Sequence, residues 1–142
     1  MQIFLKEEEG YSLVSSDLPL IYNLDIIENI SLIKEVHEFM PRLQAQEIAI
    51  SLLSKVGLNH IKSYRQNQCS TVEIFYVMFL RALMSREKNI FIEVKHSVLE
   101  TLKDINNVFE SINLLKADKN IFILDLLENE DYYKGTLCNI IK

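Results

Sequence analysis

Apolar positions along the chain follow two different periods. Between residues 41 and 57 they recur every three or four positions, which predicts an amphipathic helix that a proline begins and a glycine ends. A similar stripe from Val72 onward predicts a second helix, and the preceding Ser70 together with Glu73 has the form of a capping box. Because this helix is apolar around most of its circumference, we expect it to lie centrally in the fold. A further helix is expected near residues 26–36.

Short continuous apolar runs predict the strands. Residues 89–94 and 121–124 are runs of this kind, typical of strands covered on both faces of a parallel sheet. A helical period over residues 97–116 separates them, so the three segments predict a βαβ unit. One or two further short strands are expected within residues 1–15, at residues 3–5 and 11–14. The fold class is therefore α/β, with a small, mainly parallel sheet of about three to four strands.

Composition and charge narrow the class of protein. The chain is 49% hydrophobic and 25% charged, which suits a single globular domain spanning residues 1–142. Its net charge is −5 with scattered basic residues, so nucleic acid is not an expected partner. No apolar run approaches the ~20 residues of a membrane span, and residues 1–10 match no targeting peptide, so we expect a cytoplasmic protein. The two cysteines, Cys69 and Cys138, are expected to be reduced and buried.

The chain lacks the residue patterns of the common catalytic sites. Its three glycines are far apart, so no loop can cradle phosphates with several close backbone amides. No nucleophile-elbow spacing is present. Glu93 and His96 lie three residues apart, but a carboxylate at a strand end and a loop histidine explain this pair better than a metal site does. We expect neither a metal nor a catalytic residue.

Several short motifs resemble the ATP-binding domain of ABC transporters. Residues 68–73 (QCSTVE) stand where that family has its signature QLSGGE, and residues 81–83 (RAL) match the end of its ARAL. In the same register, residues 90–95 (IFIEVK) fall on the Walker B motif and residues 97–100 (SVLE) on the D-loop SALD. Residues 23–30 (NLDIIENI) are similar to the family's NLTVxENI after the Q-loop.

The resemblance covers about residues 10–127 and implies a partial P-loop-NTPase-like fold with a helical subdomain. It divides the chain into a helical-subdomain-like part (17–66), a signature helix with a Walker-B-like βαβ core (67–127) and a C-terminal tail (128–142). The Walker A strand, loop and helix have no counterpart. We therefore do not expect the contacts that their backbone amides and lysine make with ATP phosphates in the family.

The resemblance also implies which positions are degenerate. Ser16 stands at the Q-loop glutamine. Ser70 and Glu73 remain from the signature motif, whose two glycines are replaced by Thr71 and Val72. The β-branched side chains at those two positions should block close backbone approach to a phosphate. The degenerate cofactor-binding positions that the resemblance implies are therefore Ser16, Ser70, Glu73 and Glu93.

Three further positions indicate whether the chain is a non-catalytic protein or an ATP-binding subunit. Glu93 keeps a carboxylate that can meet Mg²⁺, but Val94 replaces the glutamate that would polarise the attacking water, and Leu126 falls on the switch histidine. These losses predict a protein that is not an enzyme and holds no cofactor. The alternative is an ATP-binding subunit with a composite site, in which Glu93 holds Mg²⁺ and another chain supplies the P-loop.

Partners follow from the same resemblance. In the family, the Q-loop and the helical subdomain receive the coupling helix of the membrane permease. We therefore expect a non-catalytic interaction or regulatory module whose partner is an ABC permease or ATPase subunit, with only indirect membrane contact at the inner face. The missing P-loop strand would lie beside residues 121–124. We expect residues 137–141, a second copy or a partner chain to cover that apolar edge.

Overall fold

The fold is described from a computed structural model, for residues 10–94, 105–135 and 139–141. The elements in chain order are β1 (Tyr11–Val14), α1 (Ile26–His37), α2 (Arg42–Lys55), α3 (Thr71–Leu83), β2 (Asn89–Glu93), α4 (Ile105–Leu115) and β3 (Asn120–Leu124). Short 3₁₀ turns lie at Asn59–Ile61 and Gln66–Gln68, and a longer 3₁₀ segment at Leu127–Tyr133.

The three strands form one parallel sheet in the order β1, β2, β3. β2 is central and pairs in register with both neighbours, Tyr11 opposite Asn89 on one side and Asn120 opposite Asn89 on the other. The predicted α/β class and the parallel βαβ unit are therefore confirmed. The strand predicted at residues 3–5 and the D-loop-like residues 97–100 lie outside the described residues.

One face of the sheet forms the core together with α3. Val14, Ile90 and Ile92 point to this face and are almost completely buried. α3 contacts β1 on one side and α1 and α2 on the other, and its Phe79 and Leu80 have no accessible surface. Burying side chains of this size stabilises the fold by about 1.5–3 kcal/mol each. The predicted central position of α3 is confirmed.

The opposite face of the sheet carries a row of aromatic rings. Phe91 stacks on its cross-strand partner Phe122 with 4.8 Å between ring centroids, and it meets Tyr11 edge to face at 5.5 Å. Such cross-strand ring pairs stabilise a sheet. Phe122 keeps 43% of its surface exposed. This face is therefore apolar and only partly covered within the described part of the chain.

Within the residues that the structure describes, β3 is an edge of the sheet, as expected. A groove of about 930 Å³ runs beside it, lined also by α4, Leu127–Tyr133 and residues 139–141. Ile140 and Ile141 contribute to this lining but stay 44% and 92% exposed. Within the described ranges no backbone hydrogen bond joins residues 139–141 to β3. Residues 139–141 therefore cover the β3 edge only partly. Leu137, which is also expected to cover it, lies outside the described residues.

The chain after β3 is fastened back onto α4. The Asp125 carboxylate accepts hydrogen bonds from the Leu126 N–H, the Asn129 amide and the Tyr133 hydroxyl, each at 2.7 Å. The Tyr133 ring in turn stacks on Phe109 of α4 at 6.0 Å. Because one carboxylate satisfies three donors, it fixes the path of the chain at the carboxyl end of the sheet.

Asn29 is the polar residue that fixes the loop before α1. Its side chain is almost fully buried. Its Oδ1 accepts from the N–H of Ile21 at 2.7 Å, and its Nδ2 lies 3.1 Å from the Ile21 carbonyl oxygen and 3.0 Å from that of Asp25. Buried polar groups stabilise a fold when they are paired in this way and cost free energy when they are not.

We expect Asn29→Ala to lower the free energy of unfolding by about 2–3 kcal/mol, because the N–H of Ile21 loses its acceptor and the carbonyl oxygens of Ile21 and Asp25 each lose one donor. Asn113→Ala is the matched control, since Asn113 is an exposed asparagine in α4 and gains the same intrinsic helix propensity. Urea unfolding followed by circular dichroism measures both variants. Equal stabilities for the two would contradict the assigned role.

Candidate functional site

A cavity of about 280 Å³ lies where β1 and β2 end against the first turns of α3. Its walls are apolar and its rim is polar. The apolar lining is Val14, Pro19, Leu20, Ile74, Phe75 and Met78, and the polar lining is Ser15, Ser16, Gln66, Thr71 and Glu93. The carboxyl ends of parallel strands are the usual location of binding sites in α/β proteins, so this cavity is the candidate site.

The structure brings two of the four predicted site residues together. Ser16 follows β1 and Glu93 ends β2, and both line the cavity because the two strands are parallel neighbours. Ser70 and Glu73 do not line it. The Ser70 Oγ accepts from the Glu73 N–H at 3.2 Å, and the Glu73 Oε1 accepts from the Ser70 N–H at 2.8 Å. Their side chains thus cap α3, as the capping-box pattern predicts.

Glu73 also shapes the electrostatics of its neighbours. Its second carboxylate oxygen lies 3.5 Å from the Nε2 of His60. Cys69 is half-buried rather than fully buried as expected, and its thiol lies 3.6 Å from the Arg65 carbonyl oxygen. Burial, and then the negative charge of Glu73, raise the pKa of the Cys69 thiol. The thiol is therefore poorly reactive near neutral pH.

The donor groups around the cavity are a poor match for ATP phosphates. Among the described residues that line it, Glu93 is the one ionisable side chain, and no lysine or arginine is present. From this described lining a Mg²⁺ ion would meet a single carboxylate, and a phosphate would meet no cation. Within the described ranges no group of three or more His, Cys, Asp or Glu residues is placed to hold a metal. His96 lies outside those ranges.

Val94 and Leu126, which the resemblance aligns with the general base and the switch histidine of the family, have different surroundings. Val94 is buried in the core, and its N–H donates to the Leu124 carbonyl at 3.0 Å. Leu126 follows β3 and is 62% exposed. Neither side chain can accept a proton from water. The Val94 side chain therefore contributes to packing.

The loop that follows β1 is held in place by Arg81 of α3. The guanidinium donates to the carbonyl oxygens of Leu18 and of the proline after it, the latter at 2.9 Å. Burial lowers the pKa of Arg81, which still remains a cation with two backbone acceptors. Arg81 belongs to the RAL residues that resemble the end of the family's ARAL, and that motif does not predict this role. The available signal was a charged residue within an otherwise apolar stretch of α3.

Three apolar side chains of this anchored loop point into solvent. Leu18, Ile21 and Tyr22, which we name the loop patch, are 50%, 43% and 64% exposed. Asn29 holds the backbone of Ile21 on one side, and Arg81 holds that of Leu18 on the other. The loop patch adjoins the cavity in sequence, since Pro19 and Leu20 line it. Exposed apolar side chains on a fixed backbone are typical of a binding surface.

Comparison with solved structures finds the fold that the sequence motifs resemble. The chain matches the ATP-binding cassette MJ0796, in a dimeric post-hydrolysis state bound to ADP and Pi, with a TM-score of 0.63 and 17% sequence identity. The match covers 89% of this chain but 59% of the length of the other chain. No family model and no curated protein sequence matches. The chain therefore has part of the fold of an ABC ATP-binding domain, as the resemblance implied.

None of the helices in the described ranges is both long enough and apolar enough to cross a lipid bilayer.

We expect Glu73→Gln to speed alkylation of Cys69 by iodoacetamide at about pH 8 by about two- to threefold, because removing the negative charge lowers the raised thiol pKa and increases the thiolate fraction. The experiment uses a Cys138→Ser background so that one thiol reacts. Glu47→Gln, an exposed change in α2, is the control. Equal rates in the two variants would show that Glu73 does not act on Cys69.

Proposed function

We propose that this chain is a non-catalytic protein of the ABC ATP-binding-domain type that acts as an interaction module. Its partner is a permease or an ATPase subunit of a transporter, and its contact with the membrane is indirect, through that partner at the cytoplasmic face. The observation that carries the proposal is the loop patch, which is anchored by hydrogen bonds from Asn29 and Arg81 and lies next to an apolar cavity.

The energetics of the loop favour binding to a protein. Arg81 and Asn29 fix the backbone before any partner arrives, so little conformational entropy is lost on binding. Leu18, Ile21 and Tyr22 add apolar and aromatic surface of the kind found at the centre of protein interfaces. The cavity of about 280 Å³ is smaller than most drug-sized ligand sites, and suits one or two apolar anchor side chains of a partner helix.

The non-catalytic part of the proposal rests on two positions. Val94 is packed in the core, where the glutamate of the family would activate water. The cavity lining supplies Glu93 but no cation in the described part of the chain, so the charge of a triphosphate would be uncompensated. Both features favour a chain that neither binds ATP by itself nor hydrolyses it.

A second candidate function is favoured by a different observation. Ser16 and Glu93 line the same cavity, in the arrangement expected if the Q-loop and Walker B positions were still used. β3 also leaves an open sheet edge, where a P-loop strand of another chain would lie. In this alternative the chain is one half of a composite ATP site, with Glu93 holding Mg²⁺.

The two candidates are distinguished by calorimetric titration of the purified protein with Mg-ATP. We expect no heat of binding up to about millimolar ATP, because the described residues that line the cavity offer no cation for the phosphates. Glu93→Ala should behave identically. Micromolar binding that this substitution abolishes would instead favour the ATP-binding alternative.

The docking surface is tested by placing the photo-reactive amino acid p-benzoylphenylalanine at Tyr22 in cells that make the protein. We expect irradiation to cross-link this position to a transporter permease or ATPase subunit, identified by mass spectrometry, because the ring lies on the loop patch. Tyr132, which is 51% exposed beyond β3, is the matched control. Equal cross-linking of that subunit from both positions, or none from Tyr22, would contradict the proposed surface.

A further inference from the structure

Among the described strands β3 is an edge strand, and its sequence has none of the features that usually protect such an edge. Proteins usually blunt such edges with charged residues, proline or a bulge, since the unpaired backbone groups otherwise recruit another strand. Asn120–Leu124 has the sequence NIFIL, with no charge and no proline, and it pairs with β2 without a bulge. The strand is therefore suited to pairing with a further strand.

The directions of the N–H and C=O groups of β3 determine which of its residues can pair with a further strand. The N–H of Asn120 and the C=O of Leu124 both bond to residues flanking β2, at 2.8 and 3.0 Å. Backbone groups alternate in direction along a parallel strand, so Ile121 and Ile123 direct theirs to the free edge. Phe122 lies between them and directs its own backbone groups inward.

This pattern is self-complementary for two antiparallel copies. With Phe122 of one copy opposite Phe122 of the other, Ile121 of each copy faces Ile123 of its partner copy and exchanges both hydrogen bonds with it. The register is symmetric about a two-fold axis, as an isologous interface requires. We infer that two copies of this chain form a dimer by antiparallel pairing of their β3 strands in this register.

The side chains support the same register on both faces. On one face, Phe122 already stacks on Phe91, and the two-fold axis would continue that aromatic row into the second copy. On the other face, Ile121 and Ile123 are only partly buried and would pack against their counterparts. The groove beside β3 is lined by further apolar residues with exposed surface, among them Leu126, Leu127 and Ile140.

The dimer is independent of the proposed interaction module, because the loop patch follows β1, at the opposite edge of the sheet from β3. Both proposals can therefore fail separately. A protein partner that contributed the strand, or the C-terminal residues of the same chain, would leave the isolated protein monomeric.

Analytical ultracentrifugation of the purified full chain tests the dimer. We expect a species of twice the monomer mass at about 100 µM, and at least a tenfold weaker association for Phe122→Lys, which places like charges opposite each other across the axis. Phe39→Lys is the matched control, since Phe39 is 89% exposed and does not line the groove. A monomeric wild-type chain, or equal association of the two variants, would overturn the inference.

A cross-linking experiment fixes the register and does not depend on folding of the lysine variant. Residues opposite each other at a non-hydrogen-bonded antiparallel position have Cα atoms about 4.5 Å apart, within the range for a disulfide. In a Cys69→Ser, Cys138→Ser background, Phe122→Cys should form a covalent dimer with oxidised glutathione, and Phe39→Cys should not. Absence of a Phe122→Cys dimer, or equal yields at the two positions, would contradict the pairing.

Discussion

Burial of α3 on nearly all sides is the constraint on which the rest of the structure depends. The helix contacts the sheet through β1 and the helical layer through α1 and α2, so each layer is packed against it rather than against solvent. Phe79, Leu80 and Val77 lose all their accessible surface in the process. Burying a polar group without a hydrogen-bond partner costs free energy, which explains why α3 carries few polar side chains along its buried length.

Arg81 is the exception on α3, and it connects the core to the surface. Its guanidinium reaches the loop after β1, while Asn29 of α1 reaches the same loop from the helical layer. The loop is therefore held by both layers of the molecule at once. A surface that depends on two elements keeps its shape only while those elements stay together, so the loop patch and the core are mechanically linked.

The parts of the fold that the sequence predicted are those with local signals. The capping residues Ser70 and Glu73 define the start of α3, and short continuous apolar runs predict β2 and β3. The convergence of Ser16 and Glu93 also follows from adjacent parallel strands. By contrast, the bond from Arg81 to Leu18 joins residues more than 60 positions apart, and Asn29 has an ordinary place in a helical pattern. Neither role is visible in a local pattern, because each depends on which segments the tertiary fold brings together.

The sheet topology determines when each strand can find its partner during synthesis. β1 pairs only with β2 in the described structure, and their first paired residues, Tyr11 and Asn89, are separated by most of the helical layer. At roughly 5–20 residues per second of synthesis, β1 leaves the ribosome several seconds before its partner strand exists. During that interval α1 and α2 can already pack on each other, since they are close in sequence and in contact. The strand made first therefore joins the sheet late, and it must remain soluble on its own until α3 and β2 have followed.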